Sequence, residues 1–179
     1  MNLRGKQGFS LLEVLVVVVI LSVLAATLIP RFGTSIDKSK VARAETELKS
    51  FKNSLTKVFF DTNYYPPDVS RNVDPGLTSK SRVRSDISKL WDGPYLERWP
   101  TNGHPWGGSY DYEYWSYSPF NFDGQLGNEV LISMRGGALT RKILERIDQD
   151  LDDGDANTGL LRHNNRDWLT YFVGEGPKW

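Results

Sequence analysis

Residues 8–30 read GFSLLEVLVVVVILSVLAATLIP, an apolar run in which Glu13 is the one ionisable side chain. From Phe9 to Ile29 it would cover about 31 Å as an α-helix, enough to cross the hydrocarbon core of a bilayer. Arg4 and Lys6 precede it with no acidic residue between them, so the positive-inside rule keeps the N-terminus cytoplasmic and sends the C-terminal part across the membrane. A secretory signal would have a shorter apolar core ending at small residues such as Ala25 and Ala26. Here helical spacing continues past them to Ile36 and Val41. A plain anchor accounts for the length and the flanking charge but gives no reason for Glu13. Snorkelling remains open for that side chain, which lies about 6 Å along the helix from Phe9.

The short basic leader ending in Gly8, followed by GFSLLEV from Gly8 to Val14, resembles the processing and methylation signature of type IV pilins and type II secretion pseudopilins. The resemblance implies leader cleavage by prepilin peptidase between Gly8 and Phe9, and N-methylation of Phe9 by the same enzyme. Glycine suits the cut because a residue without Cβ lets the backbone approach closely. Cleavage would give Phe9 a free amino group, largely protonated at neutral pH. The family's assembly model pairs that cation with Glu13 of a neighbouring subunit. At 4 Å and an effective dielectric of 20 the attraction is about 4 kcal/mol, part of it offset by desolvation. Pro30, which lacks the helical N–H donor, resembles the position where the family's helix kinks.

The same resemblance implies a structural subunit and no enzyme. It would polymerise with itself and with related minor pilins, driven by an ATP-powered inner-membrane assembly platform. A pseudopilin of a type II secretion system, acting in protein secretion across the outer membrane, is the leading reading. The alternative is a type IV pilin or minor pilin/adhesin in motility, adhesion or DNA uptake.

Beyond Pro30, Ile36, Val41, Ala44, Leu48, Phe51, Leu55 and Val58 recur at helical spacing with charges between them, which predicts an amphipathic stem with one buried face. Lys38, Lys40, Arg43 and Lys49 read as its solvated side. Tyr64, Tyr65, Pro66 and Pro67 end the helix near Thr62. The organisation expected is a leader at 1–8, a transmembrane and polymerisation helix at 9–29, a stem at 30–62 and a globular head at 63–179.

The head is large enough for one modest core. With 22 basic and 22 acidic residues in a chain of 179, no charge excess suggests nucleic acid. The chain has no cysteine, which excludes disulfides and thiolate sites and leaves the redox compartment open. Residues 66–108 read as a long connection with at most one short helix, around Ser85 to Trp91. Within it, GPYLERWPTNGHPWGG (Gly93 to Gly108) resembles the segment that fixes the chain against the stem in major pseudopilins.

Three strands follow. Tyr110, Tyr112 and Tyr114 alternate with Asp111 and Glu113 in the first, Tyr110 to Tyr117, as a half-buried strand requires. Pro119 to Gly127 supplies a turn, Glu129 to Met134 a second, antiparallel strand, and Leu169 to Val173 a third. An amphipathic helix is expected over Ala138 to Leu151. The fold class is therefore α+β and pilin-like, a long N-terminal helix on a small antiparallel sheet.

Asp148, Asp150, Asp152, Asp153 and Asp155 crowd into eight residues with Gly154 and Asn157. Hard oxygen ligands on a glycine-containing loop suit calcium, with Asp150, Asp152, Asp153, Asp155 and Asn157 as the candidate set. No Glu closes the loop as in an EF-hand, so a solvated acidic turn stays open as the other reading. LDDGDANTG (Leu151 to Gly159) resembles a loop common in pseudopilin-like proteins, and the family's major members bind calcium in a C-terminal loop. His104 and His163 have no catalytic partner by motif and read as surface or loop residues. Trp99, Trp106, Trp115, Trp168 and Trp179 could stack on a ligand if exposed, although core packing suits most of them better.

Overall fold

In the computed structural model, residues 9–114, 122 and 129–176 are described, except for the side chains of 26–36. The leader with Gly8, the end of the first expected strand, most of the following turn, Trp115, Trp179 and the Pro30 side chain therefore lie outside the described residues. The elements run α1 (Leu11–Thr62), β1 (Ser109–Tyr114), β2 (Glu129–Arg135), α2 (Arg141–Leu151), β3 (Leu161–His163) and β4 (Trp168–Glu175). The chain divides into two compact units, Met1–Ser39 and Lys40–Trp179.

In the first unit the large apolar side chains from Phe9 to Leu24 are 46–88% exposed. Among the described residues no helix is long and apolar enough to cross a membrane. The described side chains of the apolar run stop at Ala25, short of the ~20 residues a span needs.

The second unit carries the fold class read from the sequence. Its four strands form one antiparallel sheet in the order β1-β2-β4-β3. Register puts Tyr110 opposite Met134, Tyr112 opposite Ile132 and Tyr114 opposite Val130, so the tyrosines share one face with β2's aliphatic residues. The stem positions Ala44, Leu48, Phe51, Leu55 and Val58, all at most 3% exposed, join them in a single core. Phe51 sits at its centre, stacked on Trp99 at 4.7 Å and edge-on to Tyr110 at 5.1 Å. The tyrosine hydroxyls find partners at the core margin: Tyr110 donates to Glu47 at 2.6 Å and Tyr112 to the Pro66 carbonyl at 2.7 Å.

The segment between stem and sheet is tied down by its own polar groups. Asp74 accepts from the backbone of Gly76, Leu77 and Thr78, and the Leu77 carbonyl accepts from Tyr95 and Leu96. Ser54 of the stem donates to the Tyr95 carbonyl at 2.8 Å. Tyr95 and Trp99 thus hold the Gly93–Gly108 run on the stem. The one short helix the sequence allowed around Ser85 to Trp91 does not form. Two tight turns replace it, closed by Ile87 on the Arg84 carbonyl and Leu90 on the Ile87 carbonyl, with only Ile87 buried among them. One buried side chain gives too little apolar contact to propagate a helix.

Three further corrections follow from packing. The face of β1 bearing Asp111 and Glu113 is buried, not solvated. It is neutralised by Arg135, which pairs with Glu113 and lies 3.6 Å from Asp111, while Ser133 donates to Glu113 at 2.5 Å. The Arg135 guanidinium also covers the Trp168 ring at 3.8 Å. His104 and His163 are each only 3% exposed. His104 can be buried because its two ring nitrogens are satisfied, Nε2 on the Arg135 carbonyl and Nδ1 accepting from the Trp106 amide, a pattern that sets the neutral tautomer. Burial holds its pKa below the usual imidazole value. Finally, β3 adds a fourth strand, paired with β4 through three residues.

Candidate functional site

Two places in the molecule carry polar groups that the core does not require. The first is the start of α1. Ser10 is the N-cap in function: its backbone N–H and its hydroxyl both donate to Glu13 Oε2, at 2.8 and 2.9 Å, and the Glu13 amide donates back to Ser10 Oγ at 3.2 Å. This is a capping box, which satisfies two helix-terminal donors reciprocally and starts the helix at Leu11. The carboxylate on the apolar run therefore has a partner within its own first turn, with Oε1 left over. Phe9, beside it, is 88% exposed. The sequence reading weighed Glu13 and passed over Ser10. The signal was the S-x-x-E spacing immediately before an apolar run, which marks a helix start.

The second place is the loop after α2. Asp148, in the last turn, is fully buried, and Asp152 and Asp153 follow the helix end. One oxygen from each of these three carboxylates lies within 4.8 Å of the others. The other expected ligands go elsewhere. Asp150 accepts from Arg146 at 2.6 Å. Asp155 accepts from the Asn157 amide at 3.0 Å, leaving both in a local turn outside the cluster.

Local bonds also shape the three that converge. Asp152 Oδ2 takes the Leu160 and Leu161 amides at 2.5 and 2.9 Å. Asp153 accepts from the Asp155 amide and the Thr158 hydroxyl at 2.9 and 2.7 Å. Gly159 has φ +68° and passes so close to Asp152 Oδ2 that a Cβ would collide with it, so the loop needs glycine there. Asp148 receives the Gly154 amide on Oδ1 at 3.3 Å. Its Oδ2 lies 3.3 Å from Nε2 of His163 on β3, outside hydrogen-bond geometry.

Burial, reinforced by Asp153, Asp152 and Asp155, pushes the Asp148 carboxyl up to about 6. Chemically, the loop offers hard oxygen donors around a buried carboxylate that lacks a full set of partners. That fits a divalent cation such as calcium, which takes 6–8 oxygens, with Asp148, Asp152 and Asp153 holding it. Sequence spacing missed Asp148 because it lies on the helix side of the loop. Helical geometry, four residues before Asp152, was the signal.

Comparison with known proteins bears on the start of α1. Residues 3–29 match the family described as prokaryotic N-terminal methylation motif, and residues 35–118 match PilW, C-terminal. The chain is 32% identical over 134 residues to a type II secretion system core protein G of Aeromonas hydrophila, covering 75% of this chain and 85% of that protein. It is 34% identical over 116 residues to the core protein G of Pseudomonas aeruginosa, covering 63% and 76%. It is 27% identical over 146 residues to that of Escherichia coli K12, covering 76% and 96%. No solved structure matches.

Proposed function

The chain belongs to the type II secretion system core protein G family, a family of structural pseudopilins, and on that premise we propose that it is a filament subunit assembled through the start of α1. Prepilin peptidase removes residues 1–8 by cutting between Gly8 and Phe9, and Phe9 is N-methylated. Residues 9–29 then hold the subunit in the inner membrane with the N-terminus cytoplasmic, residues 30–62 act as the stem, and the head from 63 lies in the periplasm until the subunit enters the filament. Its partners are further copies, related minor subunits, the peptidase and the inner-membrane assembly platform. No chemistry is performed by the head.

The observation that carries this reading is the pairing at Ser10 and Glu13 on an otherwise apolar helix face. Before assembly, Glu13 Oε2 is occupied within its own turn. That arrangement leaves Oε1 for the Phe9 amine of a neighbouring subunit, so one axial offset pairs two charges that lipid would otherwise penalise. The test is Glu13→Ala: leader cleavage continues, whereas filament yield falls sharply. Wild-type filament yield from that variant contradicts the assignment.

A cation in the loop after α2 is supported by the convergence of Asp148, Asp152 and Asp153. When bound, calcium would neutralise this crowded carboxylate cluster. The residues' own part is to hold it: Asp148 from the helix end, Asp152 through the amides of Leu160 and Leu161, Asp153 through Thr158. Thermal unfolding with calcium and with chelator tests it, since a bound cation raises the melting temperature and its removal lowers it.

A further inference from the structure

The side of the stem facing away from the core has an order of its own. Thr46, Lys49, Asn53, Thr56 and Phe60 are all exposed and recur at spacings of three and four, so they form one stripe along the helix. Phe60 closes that stripe and is 88% exposed, as open to solvent as Phe9. Beside it a groove of about 460 Å³ opens between Phe60 and Asp61 of the stem and Asp92, Pro94 and Tyr95 of the head, with Lys57 also lining it.

The groove is braced rather than loose. Tyr95 donates its hydroxyl to Asp61 Oδ2 at 2.6 Å and accepts the Asp92 amide at 2.9 Å. Asp61 and Asp92 thus give the groove's lining two carboxylates against the single ammonium of Lys57. Neither Asp61 nor Asp92 has an ion pair within 4.0 Å among the described residues. An exposed aromatic ring flanked by carboxylates is a receptor for an ammonium or guanidinium group, through the ring quadrupole and through charge.

Lys49 has the complementary character. It is exposed, lies on the same stripe, and likewise has no ion pair among the described residues. It cannot serve its own groove, because three helical turns, about 16 Å, separate it from Phe60. The residues between them on the stripe, Asn53 and Thr56, are small enough to let a parallel helix approach.

We propose that this groove receives Lys49 from the stem of a second copy of the chain, displaced along the helix by about 16 Å and therefore a different neighbour from the copy whose Phe9 amine meets Glu13, about 6 Å away. The inference rests on the filament reading above and assigns it a contact on the head side of the subunit. Because Lys49 and the groove are different patches, the contact is heterologous. It leaves a free patch at each end and so propagates from copy to copy.

The absence of cysteine from the chain makes the test direct. Full-length Lys49→Cys/Asp92→Cys protein, assembled in a host carrying its secretion machinery, is treated with a short bis-maleimide. The expected product is a ladder of dimers, trimers and higher species, absent from each single variant. In parallel, Lys49→Asp lowers filament yield about tenfold, and adding Asp92→Lys to the same chain restores most of it, as reversal of a real pair requires. Rescue by the second charge separates pairing from mere damage to the stem.

Filaments of normal yield without a ladder would overturn the groove contact and leave the filament reading standing. Dimers alone would overturn the head-to-tail arrangement, and cross-links only to a different subunit would overturn the second copy as occupant. No filaments from the unaltered chain would remove both readings.

Discussion

The described ends of helix α1 are chemically opposite. From Leu11 to Ala25 it is apolar on every side and exposed on every side, with one carboxylate held in a capping box. From Lys40 to Thr62 its apolar residues gather on one side, buried against aromatic residues of the head, with Phe60 as the large apolar exception on the outer side. The difference separates what the subunit needs for folding from what it needs for assembly. The stem's apolar face is satisfied within one chain, so it sets the stability of the head. The N-terminal stretch is exposed in the single copy, and on the proposed reading it is lipid or other subunits that would cover it.

That separation can be broken by experiment. The largest effect is expected in the stem: Phe51→Ala removes the ring that joins Trp99 and Tyr110 and costs about 3–5 kcal/mol. Val17→Ala, an equally apolar deletion in the exposed stretch, leaves the melting temperature of the head unchanged. Denaturant or thermal unfolding of the two variants checks the contrast, and equal losses would erase it.

Next is the proposed cation site, where calcium at a hundredfold excess over its Kd should stabilise by about 2.7 kcal/mol. Calorimetry with Asp148→Asn should lose most of that increment.

A smaller effect comes from the other face of the sheet. Burial, with Glu113 beside it, raises the Asp111 carboxyl to about 6, against ~3.9 when unfolded. Between those values the folded chain keeps a proton that the unfolded chain has released. Stability therefore falls as pH climbs through that window and levels off above it. Relative to wild type, Asp111→Asn should gain about 1–3 kcal/mol across the window, read from unfolding curves at pH 4 and pH 7. The smallest is Ser10→Ala, which loses the cap and about 1 kcal/mol of helix stability. Fraying at the first turn, measured by amide exchange, would show it.

What could be read from the sequence follows from where the physics is local. Leu48, Phe51, Leu55 and Val58 announce the stem because a helix repeats its buried side every three or four residues, and the three tyrosines announce β1 by alternation. The loss came where partners are distant in sequence. Asp111 and Glu113 read as solvent-facing because alternation cannot show Arg135, more than twenty positions on, folding over them. The two histidines read as surface or loop residues, and His104 does lie in a loop; their burial was hidden because their neighbours, the Arg135 carbonyl and the Trp106 amide for His104 and Asp148 beside His163, are assembled only by the fold. β3 is three residues long, too short for any period to show. In the acidic loop the composition was legible but the grouping was not: Arg146 draws Asp150 aside, while the helix end brings Asp148 in.

The central claim is that the start of α1 assembles subunits while the rest of the chain folds without it. It is tested most directly by Glu13→Ala in the full chain, measuring leader cleavage, head melting temperature and filament yield side by side. The account predicts normal cleavage, an unchanged melting temperature and a severe loss of filaments. Normal filaments, or a head destabilised along with them, would contradict it.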